Sequence, residues 1–240
     1  MSEKNKNTGR VHSIQSMGTL DGPGVRFVIF TQGCPLRCKC CHNPDTWSYE
    51  GGTEYDAREL VKRAMRYREY FGSEGGVTVS GGEPLIQAEF VSSLFALCHE
   101  NGISTCLDTS GCILNGNVKE LLCHTDRVLL DIKYQSDGEY RENVGCGIDT
   151  VTEFLNYLDE KGIPTTLRQV IIPTVNDSEE NILKLKEMAH SHKNVDKVEL
   201  LPFKKICQVK YDSLGIPFPF GHLPEPDKAK MTALNGLISK

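Results

Sequence analysis

The sequence predicts an α/β fold, an incomplete (β/α)6 TIM-like barrel with parallel strands. The first observation is a regular alternation of short apolar runs, β-branched or Leu-rich, with amphipathic runs of helical period. The second is that polar or reactive side chains recur at or just after the carboxyl end of nearly every apolar run, where the sites of such barrels lie. Six strand-helix units are found where a full barrel has eight. One open side is therefore expected, and an open doubly wound sheet is the alternative architecture.

The strand predictions rest on β-branched and Leu-rich runs that Gly, Pro or polar residues follow. The six predicted barrel strands are Val25–Thr31, Val77–Ser80, Ser104–Asp108, Val128–Lys133, Thr165–Ile172 and Lys197–Leu201, and Val11–Ser16 is expected to add a flanking strand. Helical periodicity predicts helices at Asp56–Tyr70, Gln87–Glu100, Thr150–Lys161, Ser178–His190 and Asp227–Ile238. The fourth helix begins at an Asp-Ser cap.

Composition limits the possible functions. The length of 240 residues and a hydrophobic content of 39% suit one domain, spanning residues 1–240, with a substantial core. A net charge of -5 argues against a nucleic-acid or polyanionic-membrane surface. The polar N-terminus and the lack of an apolar run of about 18 residues predict a cytoplasmic protein. In such a chain, ten cysteines indicate metal binding rather than disulfides.

The most informative stretch is the loop after the first strand, in which Cys34, Cys38 and Cys41 have the spacing C-x3-C-x2-C. One tight loop can aim three such thiolates at three irons of a [4Fe–4S] cluster and leave the fourth iron open to a substrate. A zinc site with His42 as the fourth ligand is the alternative. It lacks the second, well separated ligand pair that zinc sites usually show.

The loop and its flanks, DGPGVRFVIFTQGCPLRCKCCHNPDTW from Asp21 to Trp47, resemble the radical S-adenosylmethionine (SAM) enzymes that activate glycyl-radical enzymes. Within them, the pyruvate formate-lyase-activating branch is the most similar, and the resemblance covers nearly the whole chain. It implies reductive cleavage of SAM and abstraction of a hydrogen atom from a glycine of pyruvate formate-lyase. It also implies flavodoxin or ferredoxin as the reductant, and we expect a monomer. The residue before the last cysteine is usually aromatic in this superfamily, whereas here it is Cys40.

A second motif, Ser80-Gly81-Gly82-Glu83-Pro84, directly follows the second strand. Two glycines allow close approach of a ligand to the backbone, whose carbonyls can accept hydrogen bonds from an ammonium group. In isolation the motif also fits an ordinary strand-to-helix turn. The resemblance implies the site for the SAM amino group.

A third group of polar residues ends the third and fourth strands. Asp108 and Asp131 are expected to project from neighbouring strand ends, and two close carboxylates need a compensating cation. Lys133 supplies one positive charge, and a Lys-Asp ion pair without a ligand is the structural alternative. The resemblance implies a monovalent cation, Na⁺ or K⁺, bound by Asp108, Thr109 and Asp131.

The resemblance also defines a wider SAM site. Arg168 is a candidate because a buried arginine needs an anionic partner, whereas Lys204 stands where close relatives carry a histidine. The implied SAM-binding residues are Cys40, Cys41, His42, Gly81, Gly82, Glu83, Asp108, Asp131, Ile132, Lys133, Arg168 and, as the least characteristic member, Lys204. No residue is expected to act as an acid or base, because the cluster and SAM carry the chemistry.

Contacts with the partner protein are expected beside the cysteine loop. The predicted residues are Asp21, Gly22, Pro23, Gly24, Asn43 and Trp47. A plain hairpin turn is the alternative for Asp21–Gly24. Activators of other glycyl-radical enzymes often carry two further cysteine clusters before the glycine motif, and Asn43–Val79 contains no cysteine. A non-enzymatic iron-sulfur electron carrier remains the alternative from another functional class.

Overall fold

The structure, a computed structural model, describes residues 6–238. It divides into two compact units, and each is described by itself. The first unit comprises the chain up to Pro35 and Thr46–Leu129. The second comprises Leu36–Asp45 and the chain from Leu130 onward. The prediction of a single domain over residues 1–240 stays a prediction.

The first unit holds most of the amino-terminal half of the chain. Its strands are β1 (Thr8–Gly18), β2 (Arg26–Thr31), β3 (Thr53–Asp56), β4 (Gly76–Gly81) and β5 (Ser104–Thr109). Its helices are α1 (Ala57–Ala64), α2 (Arg68–Phe71), α3 (Ala88–Glu100) and α4 (Gly116–Leu122). The strand order is β3-β1-β2-β4-β5. β1 runs antiparallel to both of its neighbours, whereas β2, β4 and β5 are parallel.

Parallel pairing brings the carboxyl ends of three strands in this unit, which the predicted site residues follow, to one edge of the sheet. Thr31 pairs with Gly81, and Val79 pairs with Leu107, so the carboxyl ends of β2, β4 and β5 lie side by side. The interiors of these strands are almost fully buried. Strands covered on both faces read as continuous apolar runs, which is why the sequence predicted them.

The amino ends of the same strands are joined by Arg26, whose side chain is 1% exposed. Its guanidinium donates to the hydroxyls of Thr78 and Ser104 and to the backbone carbonyls of Glu74, Val77 and Ser104. A buried charge is tolerated when its donors are satisfied in this way. Arg26 therefore stabilises the sheet at the edge opposite the cysteine loop.

The second unit carries the rest of the parallel strands. Its elements are the end of β6 (Arg127–Asp131), α5 (Asp137–Asn143), α6 (Ile148–Lys161), β7 (Thr165–Ile171), α7 (Glu179–Ser191), β8 (Val195–Pro202), α8 (Gln208–Leu214) and α9 (Lys228–Ile238). β7 and β8 are parallel, and Arg168 pairs with Glu199. The Ile132 amide donates to the Arg168 carbonyl at 2.8 Å, which places the end of β6 beside β7.

The long helices of this unit are amphipathic. α6 buries Val151, Phe154, Leu155 and Leu158, the i, i+3, i+4, i+7 pattern of a helix with one apolar face. α7 begins after Ser178, whose hydroxyl accepts from the Asn181 amide, so the predicted cap is confirmed.

All six predicted barrel strands are present, and Val11–Ser16 lies inside β1, which is longer than predicted. The five predicted helices are also present, four of them with bounds within two residues of the prediction. The predicted helix Asp56–Tyr70 is interrupted, because a 3-10 turn at Met65–Tyr67 separates α1 from α2. β3, α4, α5 and α8 were not predicted.

Candidate functional site

The base of the cysteine loop is held by main-chain hydrogen bonds in the first unit. The Gly33 amide donates to the Thr46 carbonyl at 2.7 Å, and the Cys34 amide donates to the Trp47 carbonyl at 3.4 Å. Cys34 itself is buried, with 8% of its surface exposed. The segment after the loop therefore supports the residue that opens it.

The glycine turn after β4 packs directly on the same base. The Gly82 amide donates to the Thr31 carbonyl and the Glu83 amide to the Gly33 carbonyl, both at 2.9 Å. A β-carbon at Gly81 would lie 2.2 Å from the Thr31 nitrogen, and one at Gly82 would lie 2.1 Å from the Gly33 oxygen. Gly81 also has a φ of +114°, which favours glycine. The glycine turn and the backbone at Thr31 and Gly33 approach so closely that both positions require glycine, whatever ligand the glycine carbonyls bind.

Glu83 is buried, with 1% of its surface exposed, and its carboxylate accepts four hydrogen bonds. Oε1 accepts from the Thr109 hydroxyl at 2.6 Å and from the Leu85 amide at 3.2 Å. Oε2 accepts from the Ser110 hydroxyl and from the Ser110 amide. A carboxylate has about four acceptor sites, so these donors occupy all of them. Glu83 thereby joins the glycine turn to the end of β5.

Asp108 precedes this joined segment and is half-buried. Its Oδ2 accepts from the Ser80 hydroxyl at 2.7 Å. In the first unit, the structure therefore brings Gly81, Gly82, Glu83, Asp108 and Thr109 together at the carboxyl ends of β4 and β5. Ser80 and Ser110 were not predicted to be site residues, although Ser80 belongs to the predicted glycine motif and Ser110 directly follows Thr109.

The rest of the cysteine loop lies in the second unit. The Cys41 amide donates to the Cys38 carbonyl at 3.1 Å, which closes a tight turn. The Lys39 amide donates to the Asn143 carbonyl at 2.9 Å, and the Tyr211 hydroxyl donates to the Cys41 carbonyl at 3.1 Å. The loop is therefore anchored to the end of α5 and to α8. No sequence motif had singled out Tyr211.

The donor chemistry of the loop fits an iron-sulfur cluster. Burial, partly opposed by Lys133, raises the pKa of Cys38 to about 11 and that of Cys40 to about 12. Such thiols keep their protons until a metal ion displaces them, and thiolates are the ligands of iron-sulfur clusters. Within residues 6–238, no three or more His, Cys, Asp or Glu side chains form a ready-made metal site. The assignment of the cluster to Cys34, Cys38 and Cys41 stays a prediction from spacing and donor chemistry.

A cluster of charges lies at the end of β6 in the second unit. Asp131 accepts from the Lys133 ammonium at 3.0 Å through Oδ2 and from the Arg168 guanidinium at 3.3 Å through Oδ1. Burial alone would raise the pKa of Asp131, but Lys133 and Arg168 outweigh it and hold that pKa below its usual value. Burial would lower the pKa of Lys133, but Asp131, Cys38 and Cys40 together raise it well above its usual value. The Lys133–Asp131 ion pair, which was the alternative to a ligand site, is thus present. Because Arg168 also contacts Asp131, the cluster has two cations and one carboxylate and a net charge of +1.

A narrow cavity opens onto this charge cluster. The predicted SAM residues that line it are Cys40, Asp131, Ile132, Lys133 and Arg168, and Tyr134, Val170 and Ile172 complete its wall. The cavity has a volume of about 10 Å³, and its wall combines two cations, one carboxylate and apolar surface.

Three other predicted SAM residues of the second unit, Cys41, His42 and Lys204, lie outside that cavity lining. Lys204 is exposed, and its ammonium lies 2.7 Å from the Glu225 carboxylate. His42 is half-buried, and burial is the main cause that lowers its pKa. Their contacts with SAM stay predictions.

The predicted partner-contact residues are placed differently from one another. Asp21–Gly24 lies in the connection from β1 to β2, at the amino end of β2 and thus at the opposite end from the cysteine loop. A β-carbon at Gly24 would lie 2.5 Å from the Gly75 nitrogen, and the Asp21 carbonyl accepts from the Thr78 hydroxyl. A plain turn at Asp21–Gly24 was the alternative to a partner contact, and these contacts show that the turn packs against the strand β4 and the residue before it.

Asn43 and Trp47 follow the cysteine loop directly. The Asn43 side chain accepts from the Lys210 ammonium at 2.8 Å in the second unit. Trp47, in the first unit, is half-buried and supports Cys34 through its carbonyl. Partner contact at these residues stays a prediction.

Comparisons with known proteins agree with the site chemistry. The model of the Radical SAM superfamily matches residues 28–185. The pyruvate formate-lyase-activating enzyme of Clostridium pasteurianum is 47% identical over 97% of this chain and 98% of its own length. The pyruvate formate-lyase 1-activating enzyme of Escherichia coli K12 is 39% identical over 97% of this chain and 96% of its own length.

Solved structures show the same fold. Streptococcus suis SuiB bound to S-adenosylmethionine gives a TM-score of 0.70 at 17% identity, over 88% of this chain and 46% of SuiB. A domain of a pyruvate-formate lyase-activating enzyme from Bacteroides vulgatus gives 0.57 at 22% identity, over 69% of this chain and 93% of that domain. The predicted fold class, α/β with parallel strands and of the incomplete TIM-like barrel type, is confirmed.

The fold and the cysteine loop together define a radical SAM protein, a class whose cofactors are a [4Fe–4S] cluster and SAM. The chain belongs, within that superfamily, to the family of pyruvate formate-lyase-activating enzymes. No helix within residues 6–238 is long and apolar enough to cross a membrane.

Proposed function

We propose that the chain cleaves SAM reductively and abstracts a hydrogen atom from one glycine of pyruvate formate-lyase, which generates the glycyl radical of that enzyme. The observation that carries this proposal is the identity of 39–47% with activating enzymes of this name over 97% of the chain. The C-x3-C-x2-C spacing and the net positive charge of Lys133 and Arg168 around Asp131 support it.

When bound, the cluster and SAM supply the electron transfer and the hydrogen-abstracting radical. Three thiolates, from Cys34, Cys38 and Cys41, would hold the cluster, which would supply the electron for SAM cleavage. The chain itself positions SAM and excludes water, so it contributes proximity rather than acid-base catalysis.

Each charged group has a place in this arrangement. Lys133 and Arg168 attract the SAM carboxylate, and Asp131 holds both cations in place through its two oxygens. We propose that Asp108, Thr109 and Asp131 bind a monovalent cation. The Thr109 hydroxyl donates to Glu83 and accepts from the Gly111 amide, so one lone pair of its oxygen is left for a cation.

The finer features of the proposal concern the setting of the reaction. Flavodoxin or ferredoxin is the proposed reductant, the chain is proposed to act as a monomer, and a cytoplasmic location fits its partners. The glycine loop of the target must leave its own protein core to reach bound SAM, because the radical acts only at contact distance. Asn43 and Trp47 are the proposed protein contacts.

The test is an anaerobic mixture of reduced, cluster-loaded protein, SAM and pyruvate formate-lyase, followed by electron paramagnetic resonance. A glycyl doublet should appear as 5′-deoxyadenosine accumulates. A doublet on another glycyl-radical enzyme, with none on pyruvate formate-lyase, would retain the reaction and overturn the partner. Reduction of the cluster without SAM cleavage would instead indicate an electron carrier.

A further inference from the structure

A cavity of about 510 Å³ opens on the first unit where α1 and the turn Met65–Tyr67 meet the strands β1 and β2. Its volume lies within the range of about 300–1,000 Å³ that small-molecule sites in proteins occupy. None of the predicted SAM residues lines it. The proposed function therefore gives this cavity no role.

The wall of this cavity has more cations than anions. Lys62, Arg63 and Arg66 supply three positive charges, and Glu59 supplies one negative charge. The Glu59 carboxylate lies 2.6 Å from the Arg63 guanidinium, which leaves the other two cations without a counter-ion from the wall. Lys62 and Arg66 are four positions apart, a spacing at which like charges repel and lower stability. A charge of +2 is thus gathered here in a chain whose net charge is -5.

The same wall holds several hydrogen-bond donors that have no acceptor. In the part of the chain that the structure describes, no hydrogen bond or ion pair engages the side chains of Ser16, Lys62, Arg66 or the hydroxyl of Tyr67. Donors that lack acceptors of their own suit a ligand with several acceptor oxygens. Lysine and arginine together are the side chains that most often bind phosphate groups.

Apolar surface completes the cavity. Phe27 is 1% exposed, and its ring centroid lies 5.7 Å from that of Tyr67. Ile14, on β1, adds aliphatic surface. An inorganic anion would leave this surface in contact with water, whereas the organic part of a larger ligand would cover it.

We propose that this cavity binds an organic phosphate ester, with the phosphate group at Lys62 and Arg66 and the apolar group against Ile14 and Tyr67. Nucleotides and aromatic phosphate esters belong to this chemical class. The proposal is independent of the proposed function, because every residue that it uses lies in the first unit and outside the predicted SAM site.

The test is titration of the cluster-loaded protein with phenyl phosphate, under anaerobic conditions and at low salt. Isothermal titration calorimetry should show saturable binding that is tighter than the binding of inorganic phosphate or of phenol, since each of these carries only one of the two recognised groups. Lys62→Ala and Arg66→Ala should each weaken the binding of phenyl phosphate about fivefold. A charged hydrogen bond at a buried site is worth more, but both cations are exposed.

Arg58→Ala is the matched control. Arg58 is an exposed cation four positions before Lys62 on the same helix, and it does not line this cavity. Its removal should change the affinity for phenyl phosphate by less than about twofold, because salt and water screen a charge outside the site. Glu59→Gln should act in the opposite direction and strengthen binding up to about fivefold, since it removes the negative charge of the wall and releases Arg63.

Two results would overturn the proposal. One is the absence of saturable phenyl phosphate binding to the parent protein. The other is equal affinity in the parent and in the double variant Lys62→Ala, Arg66→Ala, which would place the bound molecule elsewhere. Thermal unfolding verifies that the variants fold, as expected for exposed substitutions by the strongest helix former.

Discussion

The Thr109 hydroxyl donates a 2.6 Å hydrogen bond to Glu83, a residue 26 positions earlier in the chain. Together with Ser110 and Leu85, it occupies the acceptor sites of a carboxylate that is almost completely buried. Glu83 was predicted to bind SAM. The geometry gives it a second role, in which it positions the end of β5 relative to the glycine turn.

Glu83→Gln tests that role. The amide keeps the shape of the side chain, but its NH₂ group cannot accept from Ser110. We expect a loss of about 1–3 kcal/mol in the free energy of unfolding, the cost of leaving buried donors without acceptors. Urea unfolding of metal-free protein measures it. Glu89→Gln, at an exposed ion pair with Lys6, is the control and should change stability by less than about 0.5 kcal/mol. Equal stability of the two variants would contradict the role.

The second prediction concerns the register of the cysteine loop. Cys34→Ala, Cys38→Ala and Cys41→Ala should each abolish bound iron or SAM cleavage, because a cluster held by three thiolates has none to spare. Cys40→Ala should retain both. Iron and sulfide analysis after anaerobic reconstitution measures the outcome. Retention in Cys38→Ala together with loss in Cys40→Ala would show that the register is wrong.

The third prediction concerns the charge cluster of the second unit. Asp131→Ala leaves the Lys133 and Arg168 cations without the carboxylate that both contact. Removal of one partner from a buried pair costs about 3–5 kcal/mol, and because a quarter of the Asp131 side chain is exposed we expect about 1–3 kcal/mol. Urea unfolding of metal-free protein is the measurement. Glu180→Ala, at the exposed pair with Lys184 on α7, is the control, and an equal loss there would refute the assignment.

The fourth prediction concerns the glycine turn. Gly81→Ala places a β-carbon against the Thr31 nitrogen at a φ of +114°, so the backbone must shift. We expect a loss of more than about 1 kcal/mol from strain alone. Gly116→Ala is the control, because nothing lies within 4 Å of that position and alanine suits a helix. Thermal unfolding of both variants should show opposite shifts, and a stable Gly81→Ala protein would contradict the close packing.

The fifth prediction concerns Lys204, whose proposed contact with SAM requires its ammonium to leave Glu225. Glu225→Gln releases the lysine and should strengthen SAM binding by up to about fivefold, because exposed pairs contribute roughly 0–1 kcal/mol. Lys204→Ala should weaken binding while the cluster spectrum stays unchanged. Titration of both variants and of the parent protein with SAM measures the two affinities. If neither variant differs from the parent, Lys204 only forms the surface ion pair with Glu225.

The sequence predicted the parallel strands well because their residues are apolar on both faces. It missed β3 (Thr53–Asp56), whose residues are exposed or half-buried and carry no apolar periodicity. It predicted one helix over Asp56–Tyr70 where a 3-10 turn intervenes, because periodicity cannot show a local tightening of the backbone.

The motifs of the site were visible in the sequence, but their mutual contacts were not. Nothing in the spacing of Glu83 and Thr109 indicates that they meet, because that contact depends on the pairing of β4 with β5. The turn Asp21–Gly24 was placed beside the cysteine loop by its nearness in sequence. The six residues of β2, which ends at Thr31, separate it from the residue that opens the cysteine loop, about 20 Å along an extended chain.

The hydrogen bonds that join Thr31 and Gly33 to the glycine turn bear on what happens to the cysteine loop when the cluster is lost. They are main-chain bonds, and none of them involves a thiol. We therefore expect that loss of the cluster leaves the main-chain support of Cys34 in place, and that this part of the cysteine loop stays formed for reloading with iron and sulfide.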